Sequence, residues 1–150
     1  MLTETQITRL LDAFDLDDMI GQMLCYRLPE DDGTVLEYIQ KTRAGSFFIS
    51  GDTQERIQKC TAWMNEYTKA PGMIAADIEN GPEAVSFSEI MLPHPMAWGA
   101  CGDADLIERA HDATAARCRE LGAHWSFSPL VDINFNMDNP VVNIRAKNAQ

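Results

Sequence analysis

Short apolar segments alternate with helical patterns along this chain, and that alternation constrains its fold more than any other feature. Residues 44–51 and 73–77 are apolar runs bounded by glycine, proline or a charged residue, which is typical of strands buried in a parallel sheet. Residues 34–43 and 104–121 carry apolar side chains at helical spacing. Strands separated by helices in this way predict an α/β fold with a parallel sheet.

Two further strands complete the predicted pattern. Residues 19–26 begin as a short helix and run into a first strand, and residues 125–129 form the last strand. The stretch 78–101 holds three prolines and is predicted to be irregular, and the tail 131–150 is predicted to be a loop. A complete (β/α)₈ barrel takes about 250 residues and rarely fewer than about 200. The 150 residues therefore predict a partial (β/α)₈ barrel, roughly its first half.

The predicted helices carry recognisable start and stop signals. Thr3 is suited to cap a first helix over residues 3–14, with a glutamine three residues on as its capping-box partner. Asp52 or Thr53 is suited to cap the helix that ends near residue 67, and Asp103 is suited to cap the helix over 104–121. Gly122 follows as the glycine that commonly ends a helix.

Composition excludes several classes of function. The formal net charge of −11 disfavours binding to nucleic acid or to an anionic membrane, because phosphate groups would be repelled. No apolar stretch approaches the length that a bilayer-spanning helix needs, and residues 1–11 lack a signal-peptide pattern. The four cysteines are far apart, which favours reduced thiols in a cytoplasmic protein, with a disulfide as the less favoured alternative.

Asp77 is the first candidate site residue because it ends the apolar run at 73–77. Ligands of α/β sheets bind beyond the carboxyl ends of the strands. An ionised carboxylate there accepts hydrogen bonds from sugar hydroxyls. Aspartate also commonly begins a turn, so the spacing alone leaves both roles open for Asp77.

No metal or cofactor site is predicted. His94, His111 and His124 lack the spacing of metal ligands. The sequence also contains no glycine-rich phosphate-binding loop of the dinucleotide or nucleotide type.

Five segments, in order along the chain, resemble the N-terminal barrel domain of glycoside hydrolase family 3. They read IGQML at 20–24, AADIENG at 75–81, LPHPMAWGA at 92–100, ELGAHWSFSPLVDIN at 120–134 and NPVVNIR at 139–145. Proteins of this family are similar to β-glucosidases and β-N-acetylglucosaminidases, which are retaining enzymes. The resemblance implies a carbohydrate substrate, with Asp77 binding sugar hydroxyls and Arg145 reaching the same ring. Without the resemblance, Arg145 is more simply a solvated cation on a loop.

The resemblance also implies that the catalytic residues lie beyond residue 150. The family's nucleophile comes from a late barrel strand, so no catalytic residue is assigned in this chain. After Arg145 the family continues with a Phe-Gly-acidic stretch, whereas this chain reads KNAQ at 147–150. The AADIENG segment is followed by PEAV, without the arginine common in members that process amino sugars.

These departures predict that residues 1–150 form an incomplete family 3 N-terminal domain, from a truncated or frameshifted reading frame or a deliberately cut chain. The predicted function is an N-terminal fragment of a retaining hydrolase that acts on β-linked glucose or N-acetylglucosamine. The alternative is a non-catalytic sugar-binding or interaction module built on a half-barrel. A half-barrel leaves two open sheet edges, through which we expect self-association.

Overall fold

The computed structural model describes residues 3–136 and 138–145 of the chain. Its elements in chain order are α1 (Glu4–Ala13), α2 (Leu16–Gln22), β1 (Cys25–Arg27), α3 (Asp32–Thr42), β2 (Ser46–Ile49), α4 (Gln54–Tyr67), β3 (Met73–Ala76), a first 3-10 helix (Pro82–Ala84), α5 (Pro95–Cys101), α6 (Ala104–Leu121), β4 (Trp125–Ser126) and a second 3-10 helix (Asn143–Arg145). The departure from the family pattern at residues 147–150 lies outside the described residues.

The four strands form one parallel sheet in the order β1-β2-β3-β4. Helices α3 and α4 each connect two neighbouring strands, and the longer β3–β4 connection contains α5 and α6. The predicted α/β class with parallel strands alternating with helices is therefore confirmed. Consecutive parallel strands joined by helices are the arrangement of part of a (β/α)₈ barrel.

Local signals set the helix ends, as the sequence predicts. Thr3 forms a capping box with Gln6, and Thr53 rather than Asp52 caps α4 by accepting a hydrogen bond from the Arg56 N–H. The Asp103 carboxylate accepts a hydrogen bond from the Leu106 N–H at 2.9 Å. Gly122 ends α6 at a φ of 102°, a left-handed conformation that side chains other than glycine rarely adopt.

One helix was not predicted. Residues 95–101 lie in the stretch expected to be irregular, yet they form α5. Pro95 occupies the first turn, where a missing N–H costs nothing, and Gly102 follows in the left-handed conformation. These are ordinary helix-boundary signals, but the prolines on either side of His94 conceal them in the sequence.

The core lies between one face of the sheet and the helices. Phe47 and Ile49 of β2 pair in register with Ile74 and Ala76 of β3, so all four side chains point to the same face. All four are at most 2% exposed. They pack with buried residues of the helix layer, namely Val35, Ile39, Ile57, Cys60, Met64, Cys118 and Leu121. Among the described residues, no helix is both long enough and apolar enough to cross a membrane.

Candidate functional site

Asp77 lies at the carboxyl edge of the sheet. It directly follows β3, whose neighbour β4 ends at Ser126, so both strands end at the same edge. The Ser128 hydroxyl donates a hydrogen bond to Asp77 Oδ1 at 3.2 Å. The Asp77 side chain is 44% exposed, which leaves the carboxylate open to a ligand.

Arg145 reaches the same place from the far end of the described chain. It closes the second 3-10 helix, and one of its terminal nitrogens lies 3.9 Å from Asp77 Oδ2. Its main partner is Glu79. Arg145 Nε donates to Glu79 Oε2 at 2.7 Å, and a terminal N–H donates to Glu79 Oε1. This two-point contact between a planar guanidinium and a carboxylate fixes the orientation of the arginine.

Glu79 is the site residue that the sequence analysis missed. Its side chain is only 9% exposed, and the hydrogen bonds from Arg145 are the main cause that lowers its carboxyl pKa. The same contact raises the pKa of the Arg145 guanidinium. The available signal was the alternation of Asp77 and Glu79 at the strand end, but nothing in the sequence shows which cation neutralises Glu79.

A cavity of about 440 Å³ opens beside this trio. It is lined by Ser50, Asp77, Glu79, Asn80, Glu83, Ala84, Phe87 and Arg145. Three carboxylates face one guanidinium, so the lining favours a neutral ligand rich in hydroxyl groups over an anion. Asn80 lines the cavity, and its buried Oδ1 has no hydrogen-bond partner among the described residues.

Helix α5 lies next to the segment that carries Arg145. It packs against the second 3-10 helix, which carries Arg145. Two nitrogens at this helix, His94 Nδ1 and Trp98 Nε1, are buried without a hydrogen-bond partner in the described part of the chain. The ring of Trp98 lies 6.0 Å from that of His111 on α6. The stretch predicted to be irregular therefore contributes the packing that holds Arg145 near Asp77.

Asp77, Glu79 and Arg145 do not provide both of the groups that retaining glycoside hydrolysis uses. Retaining glycoside hydrolysis needs a protonated carboxylic acid and a carboxylate nucleophile about 5–5.5 Å apart. Glu79 cannot serve as the acid at neutral pH, because Arg145 holds it in the ionised form. Within residues 3–136 and 138–145, no three histidine, cysteine or acidic side chains are grouped so that they could hold a metal ion.

The family assignment rests on a match over most of the chain. Residues 15–148 match the model of the glycosyl hydrolase family 3 N-terminal domain, and the chain belongs to that family. A β-N-acetylglucosaminidase/β-glucosidase from Cellulomonas fimi is 27% identical over 130 residues, which are 86% of this chain and 23% of the relative. The chain thus spans about a quarter of the length of that relative.

Solved structures show the same fold. The β-glucoside phosphorylase BglX bound to 2FGlc aligns with a TM-score of 0.86 at 23% identity, over 99% of this chain and 28% of that one. A family 3 β-N-acetylglucosaminidase from Paenibacillus sp. str. FPU-7 aligns with a TM-score of 0.76 at 26% identity, over 89% of this chain and 27% of that one. The four-stranded sheet therefore matches part of the barrel domain of these proteins.

Proposed function

We propose that this chain supplies part of the sugar-binding subsite of a retaining glycoside hydrolase that acts on β-linked glucose or N-acetylglucosamine. The observation that carries the proposal is the trio of Asp77, Glu79 and Arg145 at the carboxyl edge of the sheet. The family membership and the carbohydrate-active relatives support the same substrate class.

Each member of the trio has a distinct part in the proposed subsite. Asp77 accepts hydrogen bonds from two neighbouring ring hydroxyls, which fixes the orientation of the ring. Arg145 donates to a further ring oxygen through the N–H groups that Glu79 does not use. Glu79 is a positioning residue, since it orients Arg145 and cancels its charge in a half-buried setting.

Sugar binding by the chain tests this subsite. We expect glucose or N-acetylglucosamine to shift backbone amide resonances around residues 77–80 in an NMR titration. Asp77→Asn should weaken binding by roughly tenfold or more, because a hydrogen bond to a charged group is worth about 1.5–3 kcal/mol. Asp112→Asn on the exposed face of α6 is the matched control and should bind as the unaltered chain does. Unchanged affinity in Asp77→Asn would remove Asp77 from the subsite.

The second part of the proposal is that the chain alone does not cleave glycosides. The resemblance to the family implies a nucleophile on a later barrel strand than the four described here, which supports this part of the proposal. We therefore expect no hydrolysis of aryl β-glucosides or aryl N-acetyl-β-glucosaminides. Turnover that survives repurification and is lost in Asp77→Ala would contradict this expectation.

The DNA that follows codon 150 separates an enzyme fragment from a non-catalytic sugar-binding module. A downstream Lys-His motif and a late-strand aspartate, in any reading frame, would support the enzyme. Their absence would favour the module. The cytoplasmic location stays a prediction from the cysteine spacing, and fractionation of the producing cells would test it.

A further inference from the structure

The segment that follows β4 is fixed against the end of β3. The Phe127 N–H donates a hydrogen bond to the Ala76 carbonyl at 3.1 Å, which extends the β3–β4 pairing one residue past β4. The Ser128 N–H donates to the Ser126 hydroxyl oxygen at 3.0 Å. The backbone that carries Ser128 is therefore held beside Asp77, the residue that directly follows Ala76.

Aromatic packing adds to this attachment. The Phe127 ring stacks on the Phe48 ring of β2, with the two ring centroids 5.5 Å apart. The Phe127 ring also packs edge to face with Trp125 of β4, at a centroid distance of 4.8 Å. These contacts fix Phe127 on the sheet and so restrict the position of the next residue, Ser128.

The Ser128 hydroxyl is directed at the Asp77 carboxylate. Ser128 Oγ lies 3.2 Å from Asp77 Oδ1, and the hydroxyl is the donor because an ionised carboxylate only accepts. The other carboxylate oxygen, Oδ2, lies 3.9 Å from a terminal nitrogen of Arg145, which is beyond hydrogen-bond distance. Asp77 therefore lies between a hydroxyl that it contacts and a cation that it does not.

Arg145 is held on its own partner in the same way. Its Nε and a terminal N–H both donate to the Glu79 carboxylate. Asp77 and Arg145 are thus attached to separate groups, with a gap between them. The gap leaves both side chains open to a ligand, because a closed ion pair would satisfy each of them with the other.

Ser128 affects this gap without facing the cavity. Asp77 and Arg145 line the cavity of about 440 Å³, whereas Ser128 is not among its lining residues. The Asp77 side chain is 44% exposed, so it can change rotamer when no donor holds it. A carboxylate that is already oriented spares the ligand the cost of ordering it, which strengthens binding.

We propose that Ser128 is a positioning residue for the sugar-binding carboxylate, and that it holds Asp77 away from Arg145. This inference rests on the proposed function, because the ligand is the sugar ring that Asp77 binds. When the Ser128 hydroxyl is removed, Asp77 turns toward Arg145, and the sugar must separate the two charges before it binds.

NMR titrations with glucose and N-acetylglucosamine measure the effect on binding. We expect Ser128→Ala to weaken sugar binding roughly three- to tenfold, as the loss of one net hydrogen bond would. Ser128→Thr keeps the hydroxyl on extended backbone that suits threonine, and it should bind as the unaltered chain does. Equal weakening in both variants would mean that packing at this position matters and the hydroxyl does not.

The rotamer of Asp77 in the sugar-free chain gives a second readout, which a purely structural role for Ser128 would not change. Couplings across three bonds from the backbone to Asp77 Cγ report its χ1 angle. We expect one χ1 rotamer in the unaltered chain and in Ser128→Thr. Ser128→Ala should show a different or averaged rotamer, while the amide resonances of β3 and β4 stay in place. An unchanged Asp77 rotamer in Ser128→Ala overturns the inference.

Further variants separate this inference from the proposed function. Thr8→Ala removes a hydroxyl that donates to the Glu4 carbonyl on exposed α1, and it should change neither the sugar affinity nor the Asp77 rotamer. If Asp77→Asn weakens binding and Ser128→Ala does not, the positioning role of Ser128 alone is overturned. If the unaltered chain binds neither sugar, the proposed function and this inference are overturned together.

Discussion

The two faces of the sheet differ sharply in how they are covered. On the helix-facing side, Phe47 and Ile74 are fully buried beneath α3, α4 and α6. On the other side, which we call the open face, Arg27, Phe48, Ala75 and Trp125 share one register row, and Phe127 follows β4. Trp125 is 44% exposed and Phe127 is 47% exposed.

This difference shows which of the two faces the chain can cover with its own residues. The helix-facing core needs only local β-α-β units, because each crossover helix packs on the strands that it connects. The open face is the side that would line a barrel interior, and a barrel fills that interior with side chains from every strand. Phe48 obtains partial cover from Phe127, whose ring stacks on it at 5.5 Å.

Replacing Phe47 with alanine on the helix-facing side should lower the stability of the chain more than any other change proposed here. The side chain is fully buried, and we expect a loss of about 3–5 kcal/mol in the free energy of unfolding, because a large cavity would remain. Urea denaturation followed by circular dichroism measures the loss. Phe135→Ala, in which the altered residue is 85% exposed, should change the same quantity by less than about 0.5 kcal/mol. Similar losses in both variants would mean that the helix-facing core is not the stabilising one.

The free edges of the sheet, together with the apolar side chains of the open face, should make the chain self-associate. Among the described residues, β1 pairs only with β2 and β4 only with β3, so the outer edges of β1 and β4 are free. We expect the chain to elute above its monomer mass of 16.8 kDa, by an amount that rises with concentration. Size-exclusion chromatography with light scattering measures this.

A double substitution locates the contact. Trp125→Ser with Phe127→Ser should shift the equilibrium toward monomer, because an apolar side chain contributes about 1.5–3 kcal/mol when fully buried. Leu106→Ser, which alters an exposed residue of α6, should leave the oligomeric state unchanged. A monodisperse monomer at all concentrations, with a sharp unfolding transition, would show that the chain is stable without a partner on the open face.

Acid should weaken the attachment of α2 to the helix layer. The Asp18 side chain is 4% exposed and accepts hydrogen bonds from Lys69 Nζ at 2.5 Å and from Arg43 at 2.9 Å. The bond from Lys69 is the main cause that holds the pKa of this carboxyl far below its ordinary value of 3.8. Because the folded chain binds this proton less readily than the unfolded chain, the contribution to stability is complete above about pH 4 and declines below it.

Urea denaturation at a series of pH values tests this contribution. The free energy of unfolding of Asp18→Asn should fall less steeply below pH 4 than that of the unaltered chain. Some slope should remain, since the carboxyl pKa values of Asp15, Asp32 and Glu89 are also lowered by their cation partners. Asp112→Asn should keep the full slope. An identical pH dependence in both variants would exclude Asp18 as a source of acid sensitivity.

The smallest predicted effect concerns the start of α6, which covers part of the helix-facing core. The Asp103 carboxylate accepts a hydrogen bond from the Leu106 N–H. Replacing Asp103 with alanine should lower the free energy of unfolding by about 1 kcal/mol. Asp103→Asn retains an acceptor and should lose only a fraction of that amount. If thermal unfolding cannot distinguish Asp103→Ala from the parent chain, the cap contributes nothing to the stability of this face.

The side chains of the open face are unevenly covered. The sequence analysis expected exposed edges, and we still propose self-association through them. However, Ala75 at the centre of that face is fully buried, and the large exposed side chains are concentrated at and after β4. Such local cover depends on where the segment after β4 returns across the sheet, which hydrophobic periodicity does not record.

The sequence by itself determined the order of strands and helices and most of the helix ends. Thr3, Thr53 and Asp103 each cap a helix by accepting a hydrogen bond from the residue three positions later. Both partners therefore lie in one short segment of sequence, and the caps can be predicted from it. Only the tertiary structure decided that Glu79 orients Arg145. Glu79 and Arg145 are 66 residues apart, and their ion pair forms where the second 3-10 helix, which packs against α5, meets the segment after β3. Helix caps depend on hydrogen bonds within about one helical turn, so the local sequence determines them. Ion pairs and close packing form between whichever segments the fold brings together, so the local sequence does not determine them.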